Sequence, residues 1–459
     1  MPRIVAICMT AISKYFLISL SGCLFLVIFA SGTLADNQLA EALGFGYEGF
    51  KTTAQEGVSG PIGHWHYYWK DGFRIDSREK NLNLKFNLNI MGDGGYINDD
   101  DELKNAFPDL KGSSLLFRRL MVTMAGSLYD FAEFKLQVDF ANARDIKDEW
   151  IRFKGIPYIG HVTVGHIKEP FSLEKLTSLT AITFMERALP TLAFTPGRNF
   201  GITRQSPAFD RRMTWAVGAF LNTGSFSSVG DSEDQLSEAN GWDFTGRITG
   251  LPHYEDQGRR LVHVGLSYTH QVREDAISDA QVQFRARPES RLTDDRLVDT
   301  GGFSANWQGM INPEVAMVSG PFSFQGETCL TYVDRDTGGN PWFWGFYLFG
   351  SYILTGENRN YETSKGVFTQ VMPNRNFHLT KEGWGALELA LRFSYLDLND
   401  AGINGGREHN MTAGLNWYLT PNTRFMFNFI RARVKDRDTQ PSVDNGLSHI
   451  FQARFQMEF

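Results

Sequence analysis

The last nine residues, Phe451 to Phe459, alternate without a break. Phe451, Ala453, Phe455, Met457 and Phe459 share one face, and Gln452, Arg454, Gln456 and Glu458 share the other. Side chains two apart in a strand point the same way, so this segment offers hydrocarbon to one side and water-compatible groups to the other. The pattern recurs. Phe134, Leu136, Val138 and Phe140 oppose Glu133, Lys135, Gln137 and Asp139, while Val262, Val264, Leu266 and Tyr268 oppose His263, Gly265, Ser267 and Thr269. Leu387, Leu389, Leu391, Phe393 and Tyr395 oppose Glu388, Ala390, Arg392 and Ser394, and Met411, Ala413, Leu415 and Trp417 oppose Thr412, Gly414, Asn416 and Tyr418. After residue 35 no window approaches the ~18 uncharged apolar residues of a membrane-spanning helix. A chain of this kind enters a membrane only as a closed sheet, and the reading is an all-β, transmembrane antiparallel β-barrel.

The first residues set the compartment. Arg3 and Lys14 precede an uncharged run from Tyr15 to Ala30, followed by Thr33-Leu34-Ala35, the pattern of a secretory signal peptide cut after Ala35. Two segments are expected: a leader over residues 1–35 and a barrel over 36–459. The alternative start, Leu20-Ser21-Gly22-Cys23 as a lipid-attachment box, would leave the greasy stretch Leu24 to Phe29 behind the new N-terminus. Without the leader the balance is 43 Lys+Arg against 52 Asp+Glu, a net of −9. The bulk charge is acidic, yet a narrow pore feels its own lining first. Cys8 and Cys23 fall in the leader, so Cys329 stands alone, is expected as a plain apolar side chain, and has no partner for an intrachain disulfide.

Turn-rich stretches such as Asp93-Gly94-Gly95, Asp336-Thr337-Gly338-Gly339-Asn340 and Asn404-Gly405-Gly406 separate the alternating runs. At roughly 25 residues per strand with its connection, the length after the leader gives about 16 strands, 18 being the next even count. A barrel of that size leaves a lumen open to water. Trp342-Phe343-Trp344 and Trp417-Tyr418 read as interfacial anchors. His64-Trp65-His66 lacks a third ligand for a metal, and Asp99-Asp100-Asp101-Glu102 reads as a solvated loop. Metal, cofactor and nucleic-acid partners are not expected.

Three basic constellations would line the lumen. Gln283, Arg285 and Arg287 oppose Val282, Phe284 and Ala286, which sends both arginines inward from a strand. In Phe117-Arg118-Arg119-Leu120, strict alternation cannot send two neighbours inward, so one arginine must occupy a bulge, a strand end or a shoulder, with Arg119 the inward one. Acids such as Asp148 would pair with cations of this kind. Third, residues 165–201 interrupt the alternation for far longer than a turn needs, and loops beyond ~15 residues are usually functional. Folded inward, this loop would project Lys168, Lys175, Ser178 and Arg187 into the narrowest part.

These residues resemble a known family, the phosphate-selective porins O and P of Gram-negative bacteria. The resemblance rests on Phe117-Arg118-Arg119, Asp148-Glu149, Leu173-Glu174-Lys175 with Ser178, Glu186-Arg187, Arg285-Ala286-Arg287-Pro288 and the Pro190 to Gly201 stretch, in the family's order. The aromatic carboxy-terminal strand is likewise similar to the signal that delivers such barrels to their insertion machinery. The resemblance implies a multi-pass protein of the bacterial outer membrane, amid lipid and lipopolysaccharide, assembled as a homotrimer. Each barrel would carry an inward third loop and pass small inorganic anions, phosphate among them. It carries over Arg118, Arg119, Lys175, Ser178, Arg187, Arg285 and Arg287 as anion-binding residues, Asp148 as the acid among them, and Lys85 where the family has an arginine. Here Ser178 is followed by Leu179 where the family has a second serine, and Met121 replaces an aromatic. Fewer donors and a softer wall, with Lys168 adding charge, imply a wider, less discriminating anion pore; the alternative is a general or sugar-type diffusion porin. No nucleophile motif points to an enzyme.

Overall fold

The computed structural model describes residues 60–459 apart from positions 63–64, 71, 80, 109–111, 142–144, 158, 223–240, 274–280, 336 and 381. The expected leader lies outside the described residues, as do His64 and the start of the 36–459 segment. Among the described residues, sixteen antiparallel strands, not eighteen, close into one barrel. They are β1 Leu82–Asp99, β2 Ser113–Leu128, β3 Ala132–Asp139, β4 Asp145–Ile156, β5 Gly160–Lys168, β6 Arg198–Ala208, β7 Met213–Leu221 and β8 Gly241–Glu255. Then follow β9 Arg260–Arg273, β10 Trp307–Ser319, β11 Phe322–Asp334, β12 Trp342–Ile353, β13 Ala386–Asp400, β14 Ile403–Thr420, β15 Thr423–Arg437 and β16 Val443–Glu458. β16 pairs back to β1 from Ser448 opposite Asp99 to Glu458 opposite Asn89. Beyond that seam, the lower edge of β1 is covered by Phe73–Ser77, the last strand of a small meander, through Phe73 opposite Phe86 to Asp76 opposite Asn83. Among the described residues, the sixteen-strand wall therefore leaves no edge of its own open in hydrocarbon.

The alternation places the side chains as expected. On β13, Leu391 is 70% exposed to the outside and its neighbour Arg392 only 3%. On β16, Phe451 and Phe455 face out while Gln452, Arg454 and Gln456 are buried inside. The aromatic pairs split in the same way: Trp342, Trp344 and Trp417 point outward, whereas Phe343 and Tyr418 are buried inside. Cys329 is buried in an apolar cluster with Val333 and Phe343.

Connections at one end are short, such as 129–131, 320–321 and 421–422, with one exception at 354–385. The other end carries the long 169–197, 222–240 and 274–306 connections. This asymmetry makes the short end periplasmic and the long end extracellular. Gly95 sits where the seam meets the 274–306 loop: a Cβ there would stand 2.1 Å from the Phe451 carbonyl and 2.6 Å from Leu292. Replacing lipid-facing Leu391 by Arg is expected to destabilise the barrel by ~2–4 kcal/mol, the range for a cation on the lipid face near the midplane. The check is urea unfolding in lipid vesicles, and an unchanged midpoint would contradict the outward assignment.

Candidate functional site

The 169–197 loop lies inside the barrel, because its own composition makes any other place costly. Leu173 packs with Leu261, Val318 and Phe368, Phe184 with Tyr347, Phe349 and Ala390, Leu179 and Ile182 with Met91, and Phe171, Leu189 and Phe194 with Phe284 and Phe343. Each large side chain removed from water contributes about 1.5–3 kcal/mol. Irregular backbone inside a barrel also needs partners for its carbonyls, and side chains of the wall supply them. Arg424 donates to Ile182 O (3.0 Å) and Leu179 O (3.3 Å), Asn416 to Thr183 O (2.8 Å), Arg454 to Met185 O (2.6 Å) and Arg392 to Glu186 O (3.0 Å). The short helix α1, Leu173–Leu176, is held by Glu327 on β11, whose carboxylate accepts from Leu173 N (3.0 Å) and Glu174 N (2.7 Å) while taking Tyr347 Oη at 2.6 Å.

The loop thus fills the β9–β16 side. Interior side chains there, including Thr269, Glu388, Ser394 and Asn410, have no exposure. Across the lumen, on β3 to β6, side chains stay open: Lys135 at 27%, Arg152 at 30% and Arg198 at 22%. The accessible path is off-centre, between the loop and this wall, and cations crowd it. Lys135 and Arg198 hold Asp148 between them at 2.7 and 2.5 Å. Lys168 Nζ donates to Lys175 O (2.9 Å), and Arg187 donates to the carbonyls of Glu174, Lys175 and Thr177 at 3.1, 3.3 and 3.1 Å. Among the described residues, none of Lys168, Lys175 and Arg187 makes an ion pair. Burial, reinforced by Arg187 and Arg198, pushes the Lys175 ammonium down to about 7.

Over residues 89–459 the chain matches the family model described as "Phosphate-selective porin O and P". The chain belongs to that family. A Caulobacter vibrioides protein without a described function is 29% identical over 365 residues, covering 79% of this chain and 70% of that one. Porin O of Pseudomonas aeruginosa is 22% identical over 413 residues, 82% of this chain and 89% of its own. Among solved structures, an anion-selective porin from Comamonas acidovorans is similar in fold at a TM-score of 0.51, with 13% identity, 82% of this chain covered and all of that one. The protein is therefore an outer-membrane porin, a channel rather than an enzyme.

The porin brings its sequence-predicted residues together unevenly. Between Met91, which faces Arg119, and Gly92, which faces Phe117, the register slips by one. Arg118 is the extra residue, so the bulge turns both arginines inward, not Arg119 alone. Arg118 is not free for a ligand: it forks onto Glu186 at 2.6 and 3.0 Å. Burial alone would raise the Glu186 carboxyl, but Arg118 and Arg454 hold it well below the usual range. Arg119 lies 3.4 Å from Asp139. Ser178 is exposed beside Thr180, while Leu179 turns away into the wall. Lys85 stands six residues along β1 from Met91, about 20 Å from the arginine pair, level in register with Ala125 and Lys135.

Arg285 and Arg287 require a correction. They belong to no wall strand. Their segment is part of the 274–306 loop, which enters the barrel through two-residue bridges, Gln281–Val282 with Phe303–Ser304 and Arg285–Ala286 with Val298–Asp299. Val282, Phe284 and Ala286 are buried while Gln283 and Arg285 are exposed, and the apolar cover is Phe194, Phe303 and Phe343 rather than lipid. Alternation cannot tell one hydrocarbon from the other. Arg287 pairs with Asp294 at 2.5 Å, and burial together with Arg118 pushes nearby Arg291 down to about 10.

Sequence reasoning missed Glu289, Glu327, Arg291 and Arg424. Arg392 and Arg454 sat on faces already legible as inward; Glu289, whose carboxylate takes Arg392, Ser394, Thr412 and Leu189 N, carried no signal at all. Replacing Glu327 by Leu removes the acceptor for two buried amides, each worth ~1–3 kcal/mol. Single-channel recordings are expected to show raised, noisier conductance, with Glu327→Gln intermediate and strand content by circular dichroism unchanged.

Proposed function

We propose that the porin is a passive, anion-selective channel of the outer membrane, admitting phosphate and other small inorganic anions along the cationic path between loop and wall. The observation that carries this reading is the group Lys168, Lys175 and Arg187, bonded to backbone carbonyls or to nothing charged, next to the exposed hydroxyl of Ser178. An anion leaving water must recover hydrogen bonds. A cation 4 Å away contributes about 4 kcal/mol at an effective dielectric of about 20, so several in succession share the load without trapping the ion. Arg119, Lys135 and Arg198 extend the path, Asp148 tempers it, and Lys85, Arg285 and Arg287 lie towards its two ends. Arg118, committed to Glu186, shapes the path without binding. We further infer cleavage after Ala35 and, from the family resemblance, a homotrimer.

Leu179 favours a less discriminating variant of this function. Its side chain adds no donor to the path, which supports general anion passage over strict phosphate selectivity. The deciding measurement is the zero-current potential in a planar bilayer under a potassium chloride gradient, followed by phosphate titration. Anion preference with chloride current blocked by phosphate supports a phosphate site, preference without block supports the general pore, and cation preference overturns both.

Lys175 supplies a pH signature. Its ammonium is charged below about 7 and loses the charge above it, so chloride preference is expected to fall between pH 6 and pH 8. Lys175→Arg should hold the preference constant over that range, and Lys175→Met should lower it at both. A wild-type preference flat in pH would remove Lys175 from the path.

A further inference from the structure

The long periplasmic connection, 354–385, divides into two halves with opposite destinations. The first turns into the barrel: Tyr361 Oη meets His263 Nδ1 at 2.7 Å, Arg247 donates to Gly366 O at 2.8 Å, and Val367 and Phe368 are buried against Leu173 and Leu261. The second half turns out over the wall. Phe377 N donates to Leu419 O (2.7 Å), the Phe377 ring meets Trp417 edge-on at 5.2 Å, and Trp417 Nε1 donates to Trp384 O at 2.6 Å. Trp417 projects from the lipid-facing side of β14, in register with Phe425, close to the strand's periplasmic end. His378 N donates to Gly383 O (3.1 Å), closing a small hairpin with Leu379 at its tip.

What this hairpin shows to its surroundings does not suit water. Leu379 is 88% exposed and Trp384 74%, with Met372 half exposed, although a polar turn would connect the strands equally well. Arg375, His378 and Glu382 stand exposed among them. A ring, a large aliphatic side chain and the Arg375 guanidinium in one short segment match the chemistry of the headgroup boundary, where amphipathic side chains have both an apolar and a wet neighbour.

We propose that residues 372–385 form an interfacial anchor that seats Leu379 and Trp384 in the phospholipid leaflet facing the periplasm. The patch is continuous with the established lipid-facing wall through Trp417, and it lies at the end where that wall leaves the hydrocarbon. By fixing one end of the 354–385 connection in the membrane surface, the anchor also steadies the half that enters the lumen.

The test is a nitroxide at Leu379→Cys in the whole chain after the inferred cleavage at Ala35, with its one native cysteine, buried Cys329, left in place. The protein is reconstituted in phosphatidylethanolamine and phosphatidylglycerol vesicles, with Gln257→Cys in an ordinary periplasmic turn as the reference. Power saturation should show the Leu379 position more accessible to oxygen than to a water-soluble nickel chelate, with the opposite order at Gln257. The chelate order at both positions would place the tip in water and overturn the anchor. Access by neither reagent would mean that polypeptide covers it, and would overturn the anchor equally.

Discussion

Backbone polar groups of this porin that face hydrocarbon, or lie packed inside the barrel, must find a partner without help from solvent, and most of the architecture follows from that constraint. In hydrocarbon the solution is the closed wall, where β16 returns to β1 and the meander strand Phe73–Ser77 covers the remaining edge. Inside the barrel the same constraint recurs for an irregular loop that has no ladder to join. There Arg392, Asn416, Arg424 and Arg454 reach from β13 to β16 and satisfy its carbonyls one at a time. Arginines of the lumen therefore divide into two kinds, those that hold the loop and those left facing the path.

That division decides where charge is felt. Arg454 forks onto Asp93 and also reaches Glu186, and Glu186 in turn takes Arg118. Taking charges out of water is costly unless they are paired and hydrogen-bonded, so this chain of alternating signs is a framework whose net field is small. Lys168 and Arg187 are arranged differently, donating to backbone carbonyls instead of carboxylates.

The loop and the framework depend on each other. Glu327 caps α1 from β11, and Glu289, on the second inward loop, joins Arg392 to the amide of Leu189 on the first. Both carboxylates are buried, and both act on the path only through the position of the loop that carries Lys175 and Ser178.

How much of this was legible in advance varies by residue. Alternation alone placed Leu391 outside and Arg392 inside, and the length of the 165–201 interruption marked a loop with room to enter the lumen. It could not show that Arg285 and Arg287 ride on a second inward loop, because a buried Phe343 and a lipid chain demand the same apolar face. Nor did it show that the 354–385 connection enters from the periplasmic end, or that Arg118 would be taken up by Glu186, 68 residues away. By itself the sequence determined the barrel and the facing of its strands, since a period of two is a local property of the chain. Which cations remain uncancelled was decided only by the tertiary structure, because charge pairing across a lumen depends on distances that no local pattern encodes.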